Sequence, residues 1–430
     1  MTRADDSPAA VASDGWKRNF HAVWPSLFAT SMGLMAVLPT LPLYIEERFG
    51  INDERELAVW SAWIYGVAPL TAALVGPLWG ALGDRVGKKP MAIRANIAIA
   101  LTTALMPLAG APIWLLLMRV VQGAFAGYVA PSMALASQGA PAALHGTVIA
   151  RLQVAMAAGT FLGPFLGAEL AHWFGRAAIF WLTSGFTALA ALQLALMARD
   201  ERPENVEGST FLSALRESGG ALLRNRVFAR LLVLLVVMRL GQNMLEPFVA
   251  LVVRELGAPS WLLPLCPTPA LAIDRTTGIA FGVLAVAQFV FTPLWGRLAD
   301  RHGPLRGLSL LSLGLGLILA LTATVTSIDG FLLLRAAAAA TMAGSMTLAY
   351  AAVSKRVHER RRTLAFSLVQ SCMQLGFALG PQLGALVATF GVEGDVGPDY
   401  RRPFLAAGAL CLLAAAGMAA LRRMPSTIVD

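Results

Sequence analysis

Twelve apolar runs, each about 20 residues long, constrain this chain more than any other feature of its sequence. A helix of about that length crosses the roughly 30 Å hydrocarbon core of a membrane, and a helix satisfies its own backbone hydrogen bonds in lipid. Only 14% of the residues are charged, against about 25% in soluble domains. The sequence therefore predicts an all-α integral membrane protein. The predicted spans are residues 20–44, 57–82, 91–110, 113–137, 145–171, 176–198, 227–252, 276–298, 306–327, 330–354, 363–390 and 402–421.

A hydrophilic break near the middle of the chain separates six spans from six. Most of the 34 Lys and Arg residues fall on the side of the membrane that holds both termini, which predicts that this side is cytoplasmic. The same bias accounts for the net charge of +9, so no nucleic-acid partner is expected. We predict a cytoplasmic tail (1–19), an N-terminal six-helix bundle (20–198), a cytoplasmic linker (199–226), a C-terminal six-helix bundle (227–421) and a second cytoplasmic tail (422–430).

Three landmarks recur at half the chain length. The motif GALGDRVGKK at residues 80–89 returns as GRLADRHG at 296–303, a shift of 216 from residue 80 to residue 296. Arg119 and Arg335 show the same shift. A glycine stripe in span 5 returns in span 11; its members are Gly159, Gly163, Pro164 and Gly167, then Gly376, Gly380, Pro381 and Gly384. These repeats predict two pseudo-symmetric six-helix bundles that can rock against each other, as transporters do.

On these motifs the chain resembles the major facilitator superfamily, specifically its twelve-helix drug:proton antiporter, or multidrug efflux, branch. The first charged motif is similar to the loop 2–3 motif of that superfamily, and Arg119 with Gln122 resembles its fourth-span motif. The glycine stripe of span 5 resembles the antiporter motif of exporters. The resemblance implies a multi-pass protein of the bacterial inner membrane that exports amphipathic small molecules by alternating access, driven by protons.

The resemblance also implies a cytoplasmic latch. Asp84 would dock on the positive N-terminal end of span 11, and Asp300 would do the same against span 5. The glycines are expected to permit a tight reversal and close helix approach. The alternative is an ordinary basic turn that sets topology. The predicted gating residues are Gly80, Gly83, Asp84, Arg85, Gly87, Lys88, Asp300 and Arg301.

The stripe of Gly159, Gly163 and Gly167 presents one flat face of span 5, because glycines four residues apart share a side of a helix. We predict that this face contacts span 8 closely and slides on it, with Pro164 bending the helix. The alternative is static packing, which small residues also provide in membrane bundles.

Charged residues inside predicted spans indicate a substrate or proton pathway. Arg239, Asn243 and Glu246 share a face of span 7, and a carboxylate at that depth suits proton binding and release. The alternatives are a structural Arg239–Glu246 ion pair, or a Glu246 wetted by an outer vestibule. We expect Arg335 to reach the membrane interface and Glu169 to be solvated. The predicted pathway residues are Arg119, Gln122, Arg239, Asn243, Glu246, Gln370 and Gln374.

The sequence thus favours a proton-coupled exporter of amphipathic small molecules. The alternatives are a dedicated exporter of a siderophore or other secreted metabolite, a sugar or metabolite importer, and a transporter-like sensor. An enzyme is not expected, because the spans lack clustered His and Asp or a Ser–Lys pair. Five scattered histidines and three separate cysteines suggest no metal, and no cofactor is indicated. The expected partners are a small-molecule substrate, protons and the lipid bilayer, with the protein a monomer.

Overall fold

The computed structural model describes residues 13–141, 144–200, 224–357, 362–390 and 398–424. The first six helices are α1 (Ser13–Val37, continuing through Leu38–Thr40 to Leu41–Phe49), α2 (Glu54–Val86), α3 (Lys88–Leu105), α4 (Pro112–Phe125 and Val129–Ser137), α5 (His145–Phe174) and α6 (Arg176–Met197). The second six are α7 (Arg226–Asn243, continuing through Glu246–Phe248 to Val249–Leu256), α8 (Pro269–His302), α9 (Pro304–Thr322), α10 (Ile328–Met342 and Ser345–Ser354), α11 (Arg362–Thr389) and α12 (Arg401–Arg422).

These helices confirm the predicted all-α membrane fold. Within the described ranges, 11 helices are long and apolar enough to cross a membrane. The remaining one, α11, has 28 residues, and Gln370, Gln374 and Gln382 lower its mean hydropathy. Most of the predicted linker, 201–223, lies outside the described residues, as do 1–12 and 425–430.

Four helices are interrupted within their length, and they occupy corresponding places in the repeat. A short 3-10 turn with Pro39 interrupts α1, and one with Pro247 interrupts α7. Gly127, with a φ of 105°, lies in the break of α4, and Gly344 in that of α10. Proline removes a backbone donor and glycine relaxes the backbone. Breaks of this kind expose backbone and side-chain polar groups in the middle of a bundle.

The two halves touch mainly along two helix pairs, α5 with α8 and α2 with α11. We call the side where α1 begins and α12 ends the terminal face, and the other side the opposite face. Near the opposite face one buried apolar cluster joins the halves, including Ile45, Leu57, Phe248 and Phe281. Near the terminal face each half has a cluster of its own. The described residues are therefore packed shut at the opposite face and separated at the terminal face.

The two charged motifs lie mainly within helices, which corrects the prediction that their glycines together form the tight reversal. Gly80 and Gly83 lie inside α2, and only Gly87 makes the reversal into α3, with a φ of 108°. Gly303, with a φ of 87°, plays the same part between α8 and α9. A positive φ costs glycine little and other residues more, so one glycine in each copy is required by the turn.

Candidate functional site

A buried ion pair joins α7 to α10 at the middle of the C-terminal half. Arg335 Nη2 donates to Glu246 Oε2 at 2.8 Å, and the two residues are 9% and 5% exposed. The other carboxylate oxygen, Glu246 Oε1, is buried without a hydrogen-bond partner. A buried carboxylate requires an opposite charge or a proton, because desolvation makes an unpaired charge costly. Among the described residues, Glu246 therefore has one oxygen bonded to Arg335 and one with no protein partner.

Two arginines occupy equivalent places in the two halves. Arg119 Nε donates to the carbonyl of Ile64 at 3.0 Å, and Arg335 Nε donates to the carbonyl of Ala280 at 3.2 Å. The shift from residue 119 to 335 is the same as that from 64 to 280. The prediction that Arg335 reaches the membrane interface is therefore wrong. The backbone of α8 and the carboxylate of Glu246 hold its guanidinium inside the protein.

A terminal guanidinium nitrogen of each arginine donates a second hydrogen bond, and the acceptor of that bond differs between the halves. Arg119 Nη1 donates to Gln122 Oε1, and Gln122 Nε2 donates to Thr103 Oγ1 at 2.9 Å. Both Arg119 and Gln122 are buried. The arginine of the N-terminal half is thus bonded to a neutral amide of its own helix, whereas that of the C-terminal half is bonded to a carboxylate of α7, so within the described residues Arg119 has no directly bonded anion. This asymmetry distinguishes the two halves chemically.

The break in α7 separates two residues that the sequence placed on one face. Arg239 lies before the break and donates from Nη1 to Gln242 Oε1 at 3.0 Å. Asn243, also buried, donates from Nδ2 to the carbonyl of Arg239 at 2.9 Å. Glu246 opens the 3-10 turn beyond the break and points to Arg335. The proposed direct Arg239–Glu246 pair is thus replaced by an Arg335–Glu246 pair, because the helix is not continuous between them.

Aromatic rings connect the charged residues across the two halves. Tyr65 of α2 stacks on Phe377 of α11 at 6.1 Å between ring centroids. The guanidinium of Arg239 lies 5.6 Å from the centroid of the Phe377 ring. Tyr65 also interacts electrostatically with Glu246 and the neighbouring arginines. We call this group the central cluster; its members are Tyr65, Arg119, Gln122, Arg239, Gln242, Asn243, Glu246, Arg335 and Phe377.

The sequence predicted part of the central cluster and missed part. Gln370 is exposed and accepts from Tyr350 at 2.8 Å, and Gln374 is partly buried one turn further along α11. Neither is bonded to the central cluster within the described residues. Tyr65, Gln242 and Phe377 were missed because isolated aromatic and amide residues carry no signal in a helix. Arg335 could have been found, since it repeats Arg119 at the offset of the whole duplication.

The glycine stripe of α5 faces α1, which corrects its predicted contact with α8. A Cβ atom built on Gly159 would lie 2.5 Å from the carbonyl oxygen of Phe28, and one on Gly163 would lie 2.5 Å from that of Met32. Both neighbours belong to α1, in the same half. The equivalent stripe of α11 packs in the same way on α7. The stripes therefore bind helices within each half and do not form the joint between halves.

Glycines of α8, in the other half, are the ones that approach α5 closely. A Cβ on Gly278 would lie 3.2 Å from the carbonyl oxygen of Pro164, and one on Gly282 would lie 2.6 Å from Phe165 Cε2. Pro164 is thus at the joint, although the neighbouring stripe is not. Small residues permit this close approach of two backbones in a membrane.

Three groups of ion pairs fasten the two halves at the opposite face. Arg254 of α7 pairs with Glu46 of α1 and, at 3.5 Å, with Glu54 of α2. Arg275 pairs with Glu169 at 2.6 Å, so Glu169 has a partner rather than being merely solvated. Within the described ranges, every ion pair between the halves lies at this face. The third group is the most buried and is centred on Arg176.

Arg176 of α6 bridges acidic residues from both halves. Its Nη1 donates to Glu47 at 2.7 Å, and its Nη2 contacts both carboxylate oxygens of Asp274, at 3.0 and 3.2 Å. Asp274 is only 5% exposed, whereas Glu47 is 60% exposed. Asp274 depends on Arg176 for charge compensation, because removing one partner of a buried pair typically costs about 3–5 kcal/mol.

We expect Asp274→Asn to open the opposite face, because it removes the charge that holds α8 to Arg176. The measurement is maleimide labelling of Ala62→Cys in a background that lacks Cys266, Cys372 and Cys411. Ala62 is a buried position of α2, and its carbonyl accepts a hydrogen bond from Gln382 of the other half. Labelling by a membrane-impermeant maleimide from the opposite face should become severalfold faster. Asp399→Asn is the control, since Asp399 pairs with Arg402 inside one half. Equal labelling in both variants would contradict this role for Asp274.

Two of the predicted latch residues, Asp300 and Arg301, make no contact that would hold the terminal face among the described residues. Asp300 and Arg301 are exposed, and neither has a hydrogen-bond or ion-pair partner in the part of the chain that is described. Lys88 is partly buried at the start of α3. The side chains of Asp84 and Arg85 lie outside the described residues. Lys89, by contrast, bonds the carbonyls of Ala195 and Ala198 at 2.8 and 2.7 Å within one half.

Two six-helix halves, broken helices at their centre and closure at one face define a transporter that works by alternating access. The Major Facilitator Superfamily model matches residues 23–273 and 260–429, so the chain belongs to that family. It is 30% identical over 381 residues to the Multi-drug resistance efflux pump PmrA homolog of Lactococcus lactis, covering 87% of this chain and 89% of that protein. It is also 30% identical over 387 residues to Multidrug resistance protein MdtG of Citrobacter koseri, covering 89% and 91%.

Solved structures share the same fold at lower sequence identity. The nucleoside transporter NupG aligns with a TM-score of 0.79 at 13% identity, covering 95% of this chain and 100% of that one. A bacterial homolog of the human lysosomal transporter Spinster, in an inward-facing and occupied conformation, aligns with a TM-score of 0.74 at 16% identity, covering 94% and 96%. The protein is therefore a multi-pass membrane transporter of the major facilitator fold.

Proposed function

We propose that this protein is a proton-coupled exporter of amphipathic small molecules. The observation that carries the proposal is the buried, half-satisfied carboxylate of Glu246 facing Arg335 between α7 and α10. The relatives named as multidrug efflux pumps support the direction and the breadth of substrate. Glu246 is the group that we propose binds the proton, and the sequence contains no GxxxxGK(S/T) phosphate-binding motif.

Proton binding at Glu246 would change the central cluster as follows. A carboxylate in this buried position is neutralised either by Arg335 or by a proton. Protonation removes the negative charge that faces Arg335 and so weakens the hydrogen bond between them, whereas the bond from Arg335 to the carbonyl of Ala280 is unaffected. The less tightly held guanidinium becomes available to a substrate or to water. Because α7 is interrupted at this point, the change occurs at the interruption and not within a continuous helical segment.

We place the terminal face in the cytoplasm, on the bias of Lys and Arg toward the terminal side. In that orientation the structure is an inward-facing state. The ion pairs of Arg176, Arg254 and Arg275 hold the two halves together at the outer face, and the halves are separated at the cytoplasmic face. The location would be the inner membrane and the functional unit a monomer, with both termini cytoplasmic. Asp84 and Asp300 would act when the cytoplasmic side closes, which is consistent with an Asp300 that is exposed and has no partner among the described residues.

We expect Asp84→Asn to raise the population of inward-facing protein, because the neutral side chain loses its attraction to the positive end of a helix. The measurement is labelling of cysteines placed along the cavity, using a reagent applied from the cytoplasmic side. Lys355→Gln, an exposed change at the same face, serves as the control for surface charge. Normal transport together with unchanged labelling in Asp84→Asn would remove the latch role.

The charge of the central cluster bears on the cargo. The central cluster contains three arginines, Arg119, Arg239 and Arg335, and one carboxylate, Glu246, so it carries excess positive charge. Such a site favours anionic or neutral amphipathic molecules over lipophilic cations. This observation also supports the second candidate, a dedicated exporter of an acidic secreted metabolite or siderophore.

Transport assays with purified protein separate these possibilities. In proteoliposomes with an imposed pH gradient, a mixed panel of neutral, anionic and cationic amphipathic compounds should produce substrate-dependent proton movement. Broad responses would indicate multidrug export, and a response to one acidic class would indicate a dedicated exporter. Uptake in the direction of the proton gradient would indicate an importer. Efflux that stops on ATP depletion but persists under an uncoupler would refute proton coupling.

A further inference from the structure

A cavity of about 330 Å³ opens at the terminal face between the first turns of α1 and α5, away from the central cluster. Its size falls at the small end of the roughly 300–1,000 Å³ typical of small-molecule sites. The wall combines aromatic residues, basic residues and a hydroxyl. It includes Trp16, Lys17, Phe20, His21, Thr147 and Arg151. No acidic side chain lines the cavity within the described part of the chain.

Helical spacing sorts these side chains into two kinds of surface. Lys17 and His21 are four residues apart on α1, as are Trp16 and Phe20, so each pair shares a face. Trp16 and Phe20 pack on the apolar cluster of the N-terminal half, which fixes that wall. Thr147 and Arg151 show the same spacing on α5. Lys17, His21 and Arg151 are exposed, so basic side chains from two helices surround an aromatic floor.

The cavity lies at the level of lipid headgroups. The helix that forms the first candidate span, Gly15–Phe49, has 35 residues, about 52 Å at 1.5 Å per residue. The hydrocarbon core is only about 30 Å thick, so the first turns of α1 extend beyond it on the terminal side. Tryptophan and basic residues are the side chains that favour this interfacial zone.

We propose that this cavity binds the phosphate headgroup of an anionic phospholipid, of the phosphatidylglycerol type. The basic groups complement the phosphate, the Thr147 hydroxyl supplies a further donor, and the aromatic floor contacts the glycerol and the upper acyl chain. Basic pockets between membrane helices are the usual recognition sites for such headgroups. The proposal is independent of the transported substrate and of the proton pathway.

The test uses the full-length protein in neutral detergent, titrated with phosphatidylglycerol or phosphatidylcholine and followed by native mass spectrometry. The wild-type protein should bind phosphatidylglycerol in preference to phosphatidylcholine. Arg151→Gln should weaken that binding about fivefold, the effect of one basic residue near an anionic headgroup. The control is Arg423→Gln, which removes an exposed charge at the same face outside the cavity and should leave binding unchanged.

Two further arms make the outcome decisive. Inorganic phosphate is added as a competitor to distinguish a lipid site from a site for a free anion. Displacement of phosphatidylglycerol by an equal concentration of phosphate would overturn the lipid assignment. Should Arg151→Gln elute as aggregate, His21→Gln provides a second variant at an exposed position of α1, and it should also weaken binding. Equal affinity for the two lipids, or equal losses in Arg151→Gln and Arg423→Gln, would overturn the site.

Discussion

Glu246→Gln should abolish substrate-induced proton release from the purified protein. The amide keeps the size of the side chain and can still accept from Arg335, but it cannot gain or lose a proton. Substrate binding should persist unless the cargo is cationic, because the arginines of the central cluster remain. The measurement is the pH change on substrate addition to detergent-solubilised protein in weak buffer, repeated across pH.

The matched control is Glu255→Gln, since Glu255 lies on the same helix and is exposed at the opposite face. That variant should release protons as wild type does. Arg335→Lys is a second probe: it retains a positive charge but loses the fork that reaches both Glu246 and the carbonyl of Ala280. It should shift the pH at which release is half-complete without eliminating release. Wild-type proton release from Glu246→Gln would exclude Glu246 and direct attention to Glu46, Glu47 and Glu169.

Gly163→Leu should produce a large loss of folded protein. The side chain would enter space already held by the backbone of Met32 and by Met35 Cβ, 2.5 and 2.7 Å from the new Cβ. Overpacking of this kind costs about 1–3 kcal/mol, and more where backbone must move. The measurement is the yield of monodisperse protein and its thermal unfolding midpoint, alongside transport per folded molecule.

A glycine without near neighbours provides the comparison. Gly185 of α6 is exposed, and a Cβ there meets nothing within 4 Å, so Gly185→Leu should leave yield and unfolding unchanged. The sequence favoured a moving joint at the stripe, for which transport should fall more than yield. The geometry predicts the reverse, because α1 and α5 belong to one half. High yield with lost transport in Gly163→Leu would restore the moving-joint interpretation.

The repeated motifs were sufficient to predict the fold, because lipid leaves few alternatives. Long apolar runs in a membrane must form helices, and a duplication at half the chain length predicts two similar bundles. Pro39 and Pro247 lie at the breaks in α1 and α7, but Pro164 and Pro381 lie inside uninterrupted helices, so proline in an apolar run did not by itself predict a break. The charge bias predicted an orientation, which remains a proposal.

Only the tertiary structure decided which side chains meet. Spacing along one helix placed Glu246 with Arg239, whereas the break in α7 turned it to Arg335 on a helix 89 residues away in sequence. Spacing also predicted correctly that the glycines of α5 share one face of the helix, but it could not predict which neighbouring helix that face contacts. Periodicity specifies a face within one helix, and the rotation of that helix in the bundle is fixed by packing against all its neighbours. The sequence by itself therefore determined the class and symmetry of this transporter, and packing between helices determined its central ion pair, its joint and its closed face.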